Sequence, residues 1–594
     1  MKALFSINKY FYKYRYRFFF GILFVTISNI FAIYPAKLTR LTIDFVAASK
    51  TNYDKYSDPH VQSILFSSYS KIFLIFFLLI LLSSLLKGLF MFFMRQTIIV
   101  MSRLVEYDQK NEVFNHYQKL SLSFYKRNNT GDLMARISED VGQVRMYVGP
   151  AIMYTINLAV TFILVIIAMF SIDVKLALYI LLPLPFLSYG IYKVSNIINI
   201  KSDKIQKQLS GLSTFVQEAF SGIRVLKAFH REKNSSLQFE KESESYKNLS
   251  LDLVKTDAYF QPIVTVLIGL STLFTIYIGG KEVIAGKISV GNIAEFVMYV
   301  NMLTWPVTSL GWVTSIVQRA AASQTRINEF LNTIPEIPVS ELMTPKITES
   351  IVFKDVNFTY PDTGIEALKN ISFEIKKGES IGIIGRTGSG KSTIANLLCR
   401  LYDPQSGTIL IDTKDIKSLP VNSFRNQIGY VPQEVFLFSD SIKNNIAFGF
   451  DKDNVANDKI YEAAKNAAIY DNIMDFPEKF EALLGERGIT LSGGQKQRIS
   501  IARALIKHPS VYIFDDCLSA VDTATEEIIL QNLKKEMSGK FSIIISHRVS
   551  SVIYSNNILV LEEGKIIERG NHSQLIESRG IYYELYKKQL VSEN

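Results

Sequence analysis

At 594 residues the chain is too long for a single domain, and two to four are expected. Its residues are 48% hydrophobic, with 40 Phe, 30 Tyr and a mean hydropathy of +0.16, which excludes a wholly soluble protein and suits a membrane domain joined to a soluble one. The net charge of +10 would suit nucleic acid, but cytoplasmic loops of membrane proteins collect Lys and Arg, so no nucleic-acid partner is expected.

The chain opens with MKALFSINKYFYKYRYRFFF, where Lys9 to Arg17 alternate basic and aromatic residues, as an interfacial segment with tyrosines at headgroup depth does. No small-residue cleavage site ends the apolar run that follows, which argues against a cleaved signal. Six uncharged runs come next: Phe18–Ala36, Ile72–Leu86, Met146–Ile172, Leu176–Tyr192, Ala258–Gly280 and Phe296–Gln318. A span needs about 20 apolar residues, and the two short runs extend past Lys87 and Lys193 by snorkelling. Segments 95–145 and 193–257 are long, basic and helical in period, whereas 173–175 and 281–295 are short. The positive-inside rule therefore places both termini and the long loops in the cytoplasm of a multi-pass protein. Polar residues in or beside the runs (Asn29, Lys87, Asn157, Gln261, Glu295, Asn301), together with Trp305 and Trp312, are candidates to touch a transported solute.

Residues 1–335 thus read as an all-α transmembrane domain with a bilayer as solvent, and 336–350, with prolines and no long apolar run, as a linker. From Ile351 to the end, at 351–594, short β-rich runs (IVFKDVNF, SIGIIG, SVYIFDD, FSIIIS) alternate with helical stretches, an α/β domain with a mostly parallel core sheet. Cys399 and Cys517, the two cysteines, form neither a metal spacing nor a disulfide framework and read as buried fillers.

GRTGSGKST, from Gly385 to Thr393, follows the strand SIGIIG and opens the helix STIANLLCRL, the spacing and context of a P-loop. Gly385, Arg386, Thr387, Gly388, Ser389 and Gly390 let backbone N–H groups cradle phosphates. Lys391 reaches the β- and γ-phosphates, Ser392 ligates Mg²⁺, and Thr393 continues the helix whose N-terminus favours an anion. LSGGQ, from Leu491 to Gln495, precedes the helix QKQRISIARALIKH. Ser492, Gly493 and Gly494 with Gln495 stand where free N–H donors face an anion, about 20 residues before the strand that ends in Asp515 and Asp516.

With these motifs in this order the chain resembles the ABC transporter superfamily, specifically type I half-transporter exporters that fuse six spans to one ATPase domain. The resemblance covers nearly the whole chain and implies ATP and Mg²⁺ as ligands. It also implies roles. TGDLMARISEDV (Thr130–Val141) and QEAFSGIRVLKAF (Gln217–Phe229) correspond to the intracellular loops that dock on the ATPase domains. Tyr360 stacks on adenine, Gln433 senses Mg²⁺, Gly485–Gly488 touches an intracellular loop, and Asp515 holds the metal through water. Asp522 crosses to the partner and His547 contacts the γ-phosphate. In such exporters the LSGGQ of one domain closes over ATP held by another, so a second half-transporter is required.

Asp516 stands where the family usually has a glutamate that polarises the attacking water. A base must lie within about 2.6–3.2 Å of its proton, and a displacement of order 1 Å costs roughly 100-fold in rate. The chain's own site is therefore expected to be slow. The family pairs such Asp-bearing halves with Glu-bearing ones, and the intact Leu491–Gln495 and altered Asp516 fit that pattern, so a heterodimer is the expected assembly and a homodimer the alternative. The resemblance implies ATP-driven export of a hydrophobic or amphipathic drug-like molecule, lipid or peptide across a bacterial inner membrane. Other readings are a regulatory ATP-binding subunit, a homodimeric lipid flippase, and an ATP-gated channel on the same fold, for which nothing in the spans argues.

Overall fold

The computed structural model describes residues 2–338, 346–450, 455–485 and 488–593, and the chain divides into two compact units, Met1–Asn115 with Leu133–Thr333 and His116–Asp132 with Ile334–Asn594. The expected linker falls partly outside the described residues, at 339–345, as do Glu486 and Arg487 of the stretch Gly485–Gly488 and the side chain of Gln261.

The first unit is helical. All six apolar runs lie on helices, and four of these, Arg15–Tyr53, Pro59–Lys119, Thr130–Ile172 and Glu232–Ile284, are long and apolar enough by themselves to cross a membrane. The fourth run starts on Val174–Leu181 and continues on Pro183–Ser221, and the sixth lies on Val290–Leu331. Polar residues are tolerated inside these helices because their hydroxyls donate to the preceding turn, as Thr26 does to the Ile22 carbonyl (3.0 Å) and Thr42 to that of Leu38 (2.8 Å). Asp173 starts the fourth segment by accepting the Leu176 N–H (2.6 Å), and Ser289 with Asn292 forms a capping box for the sixth. Phe296, Tyr299, Val300 and Leu303 of the sixth pack with Ala36, Val165, Met169 and Leu176 in a shared core. The most apolar window of Pro59–Lys119 has no buried residue: Phe73 and Phe76 pack against Phe45, whereas Leu74, Phe77, Leu78 and Leu82 are exposed, as lipid-facing side chains are.

The N-terminal segment differs from expectation. Tyr12 and Tyr16 are exposed, but Tyr10 is buried and donates to Glu112, which also accepts from Lys9 (2.5 Å), while Lys13 and Tyr14 donate to Asp108 (2.6 and 2.9 Å). Alternating basic and aromatic residues serve here to staple the chain start to the second helix, because two acids one turn apart offer paired acceptors.

The second unit holds two sheets. β1 (Ser350–Thr359), β2 (Glu366–Lys376), β4 (Ser406–Ile411) and β5 (Lys414–Asp415) form an antiparallel sheet in the order β2-β1-β4-β5. β3 (Ser380–Gly385), β6 (Ile428–Val431), β7 (Val511–Asp515), β8 (Phe541–Ser546), β9 (Asn557–Glu562) and β10 (Lys565–Gly570) form the other, ordered β10-β9-β3-β8-β7-β6 and parallel except at β9–β10. β7 and β8 are buried along their whole length, which is why they read as unbroken apolar runs. Both cysteines are buried free thiols in the two cores flanking the sheets.

The short helix Leu122–Arg127 belongs to this second unit: Leu122 packs on the core that includes β1 and β2, and Ser121 and Arg127 bind Glu336 (3.0 and 2.5 Å). The loop segment grouped with the ATPase fold, His116–Asp132, thus begins upstream of Thr130–Val141, the stretch the resemblance pointed to, and shares only its first three residues, Thr130 to Asp132. Gln217–Phe229 stays in the first unit with Phe220, Val225 and Phe229 exposed.

Candidate nucleotide site

Parallel register sets the site. Gly385 pairs with Leu561, Ile384 with Ser546 and Asp515 with Ile545, so the carboxyl ends of β3, β7 and β8 lie side by side and deliver the P-loop, the two acids and His547 to one edge. Open α/β sheets bind ligands at that edge. The turn from β3 into the helix Lys391–Leu398 needs glycine at 390, whose φ is +97° and where a Cβ would lie 2.3 Å from the Ala367 carbonyl oxygen. Arg386, Thr387 and Gly388 are exposed, whereas the Ser389 hydroxyl is buried with no described hydrogen-bond partner. Lys391 is 5% exposed and its Nζ donates to the carbonyls of Gly385 and Arg386 (both 2.8 Å). Burial pulls this lysine down to about 8, against the Asp516 and Asp515 charges.

Ser392 Oγ donates to Asp515 Oδ1 at 3.0 Å. Burial, reinforced by Asp516 and opposed by Ser392 and Lys391, pushes the Asp515 carboxyl up to about 6. Asp516 is 9% exposed and adopts a left-handed backbone (φ +46°), its N–H donating to the Ile545 carbonyl at 2.8 Å. Its carboxylate accepts from the Gln433 amide and the His547 backbone N–H, both at a long 3.5 Å. Burial, with Lys391 nearby, holds the His547 imidazole below its ordinary value, so it is neutral at pH 7 and able to accept or donate through either nitrogen. Tyr360, half-buried, meets Thr393 hydroxyl to hydroxyl at 3.0 Å and packs edge-on against Tyr402, while Lys126 Nζ sits 5.2 Å from its ring centre.

The second motif is built differently. Ser492 caps the helix Gly493–Leu505 in a capping box with Gln495. A Cβ at Gly494 would lie 2.7 Å from the Ala520 carbonyl oxygen, and Gln497 donates to Ser519 (3.1 Å) and accepts the Ala520 N–H (3.0 Å), so the helix and the loop before Asp522 move as one piece. Asp522 itself is exposed and caps the next helix by accepting the Thr525 N–H (3.0 Å), which holds its carboxyl below the usual range. Ser492 and Gly493 are exposed, and the described hydrogen bonds of Ser492 and Gln495 stay within that helix turn.

Three contacts escaped the motif reading. Gln497 is one. Gln589 is another: its amide donates to the His547 carbonyl and accepts the Val549 N–H, both at 2.7 Å, clamping the turn that carries the histidine. The third is Lys126 over Tyr360. None has a local sequence signal, since each partner lies far away in the chain.

In the membrane unit Asn29, Lys87, Asn157, Asn301 and Trp305 line one cavity of about 350 Å³. Glu295 lines another, of about 610 Å³, where it accepts from Tyr299 (2.7 Å) and pairs with Arg40 (3.4 Å). Trp312 packs edge-on against Tyr154, which lines the smaller cavity.

Residues 18–307 match the ABC transporter transmembrane region and residues 368–519 the ABC transporter family. The chain is 33% identical to the probable multidrug resistance ABC transporter ATP-binding/permease protein YheI of Bacillus subtilis, over 99% of this chain and 98% of that one. It is 34% identical to an ATP-dependent lipid A-core flippase of Syntrophus aciditrophicus, over 87% and 86%. Its fold superposes on a bacterial Atm1-family ABC exporter with ATP bound at a TM-score of 0.78 and 27% identity, covering 97% and 98% of the two chains. The chain belongs to the ABC transporters, as an exporter half with its transmembrane region and its ATPase fused in one polypeptide.

Proposed function

We propose that this chain is the Asp-bearing half of a heterodimeric exporter, which hydrolyses ATP to move a hydrophobic or amphipathic solute out across a bacterial inner membrane. ATPase activity coupled to transport comes with the family, as does action as a dimer. The observation that carries the proposal is the contrast between the assembled P-loop edge and the outward-facing Ser492 and Gly493. One chain offers a phosphate cradle and, elsewhere, a capped helix end that its own residues leave exposed. In this reading 1–335 is the transmembrane domain, 336–350 the linker and 351–594 the ATPase domain, with both termini cytoplasmic.

Tyr360 stacks on adenine, residues 385–393 hold the phosphates, and Ser492 to Gln495 with Asp522 complete the partner's site. Ser392, Asp515 and Gln433 are hard oxygen donors suited to Mg²⁺, and the 3.0 Å approach of Ser392 to Asp515 puts two of them in one place. Bound there, the metal would neutralise phosphate charge and keep Asp515 ionised. Asp516 and Gln433 orient water, and neutral His547 faces the γ-phosphate. The long contacts of Asp516 and its short side chain support slow turnover at this site.

The test is ATP turnover of the chain purified alone in nanodiscs beside Asp516→Glu. Near-silent wild type with roughly 10- to 100-fold recovery in the variant supports the heterodimer. Ordinary wild-type turnover that Asp516→Asn abolishes rejects it in favour of a homodimer.

A further inference from the structure

Lys87 interrupts a stretch of helix that is otherwise uncharged from Ile72 to Met94, and Arg95 follows two turns later, about 12 Å along the axis. Both line the 350 Å³ cavity, whose lining contains no Asp or Glu among the described residues. Neither makes an ion pair with a described residue. Elsewhere in the same unit Arg40 is matched to Glu295, Lys175 and Lys287 to Glu282, and Arg326 to Asp140. Lys87 lies within the span and Arg95 where the chain leaves it; an intramembrane cation such as Lys87, left without a carboxylate, is costly and marks a functional path.

The rest of the lining completes the chemistry. Asn29 is used up, donating to the Val25 carbonyl (3.0 Å) and to Asn157 (2.8 Å) and accepting from Thr161 (2.6 Å), which fixes one wall. The Asn157 amide N–H₂ is left as a donor without a described partner. Met94, Met153 and Met302 supply adaptable thioether walls, with Tyr154 and Trp305 beside them. The volume is at the low end for a drug-sized ligand, which ranges from about 300 to 1,000 Å³.

We propose that this cavity, inside one half-transporter, binds a compact anionic amphipath: a carboxylate, sulfonate or phosphate at Lys87 and Arg95, and one short chain or ring system against the methionine and aromatic walls. It rests on the exporter reading only for calling that ligand a transported solute. Of the protein's two tryptophans Trp305 lines this site and Trp312 packs on Tyr154 of its wall, so intrinsic fluorescence reports on it.

The full chain in phosphatidylcholine nanodiscs is titrated with 11-bromoundecanoate, whose bromine quenches tryptophan on contact, and with its methyl ester. Unspecific partition into bilayer favours the uncharged ester. The expected result is quenching by the acid at a concentration at least tenfold below that needed by the ester. Lys87→Gln with Arg95→Gln closes this gap, and Lys87→Arg keeps it. Equal quenching by acid and ester in the wild type, or a gap that survives the double substitution, overturns the site. Lys391→Ala separates the two readings: it stops turnover and leaves the gap untouched, so a missing gap beside normal ATP turnover sinks the cavity and spares the exporter.

Discussion

The P-loop and the LSGGQ turn are both glycine-bearing turns that open helices, yet the fold treats them in opposite ways. Ser389, Lys391 and Thr393 are each 5% exposed or less, and Lys391 already leans on two backbone carbonyls. Ser492 and Gly493 face outward and the helix end is capped by the chain's own serine. A site enclosed by its own chain can hold its ligand alone; an exposed, rigidly backed turn is a surface prepared for a ligand held by something else. The exposed signature therefore speaks for assembly more directly than any exposed apolar patch does.

Lys391→Ala should break the enclosed side of this contrast most severely. The transferring phosphoryl group loses its fixed cation, and phosphate release by the assembled transporter should fall about 100- to 1,000-fold; a loss of only a few fold would move the chemistry away from this loop. Gly494→Val strikes the exposed side. Its side chain collides with the Ala520 carbonyl, so nucleotide retention by the chain's own P-loop should stay within about twofold while vanadate trapping in the dimer falls roughly 10-fold or more. Equal losses in both would show that the two turns are not independent. Gln497→Ala is the mildest: it removes two hydrogen bonds to Ser519 and Ala520, worth about 1–3 kcal/mol together, read as a lower denaturant midpoint of the ATPase unit. An unchanged midpoint would mean that the loop before Asp522 is held by packing alone.

Much of this site is visible in one dimension because it is made locally. Strand, glycine turn, lysine and serine are consecutive from Ser380 to Ser392, and their spacing alone implies a phosphate cradle. Asp515 and Asp516 end an apolar run for the same reason. The left-handed backbone at Asp516 was not visible, because nothing in VYIFDDCLSAVD requires it; it arises where β7 ends and the chain turns so that Asp516 meets the β8 backbone at Ile545. Left-handed φ is tolerated better by a short Asp than by longer side chains, so the missing methylene has a backbone counterpart.

The polar residues of the spans show the same limit. Their presence in apolar runs could be read directly, but not that four of them meet Trp305 in one cavity while Glu295 answers Arg40 in another. The N-terminal tyrosines likewise carry an interfacial pattern, and only packing decided that Tyr10 is spent on Glu112.

By itself, then, the sequence determined the order of the motifs, the apolar runs and the chemistry of each short segment, since these depend on neighbours a few residues apart. Tertiary structure alone decided that Gln589 clamps the His547 turn, that Lys126 covers Tyr360, and that Lys87 and Arg95 share a cavity without a carboxylate. Hydrogen bonds and charge matching act over a few ångströms in space, and no spacing along the chain encodes which distant residue will arrive there.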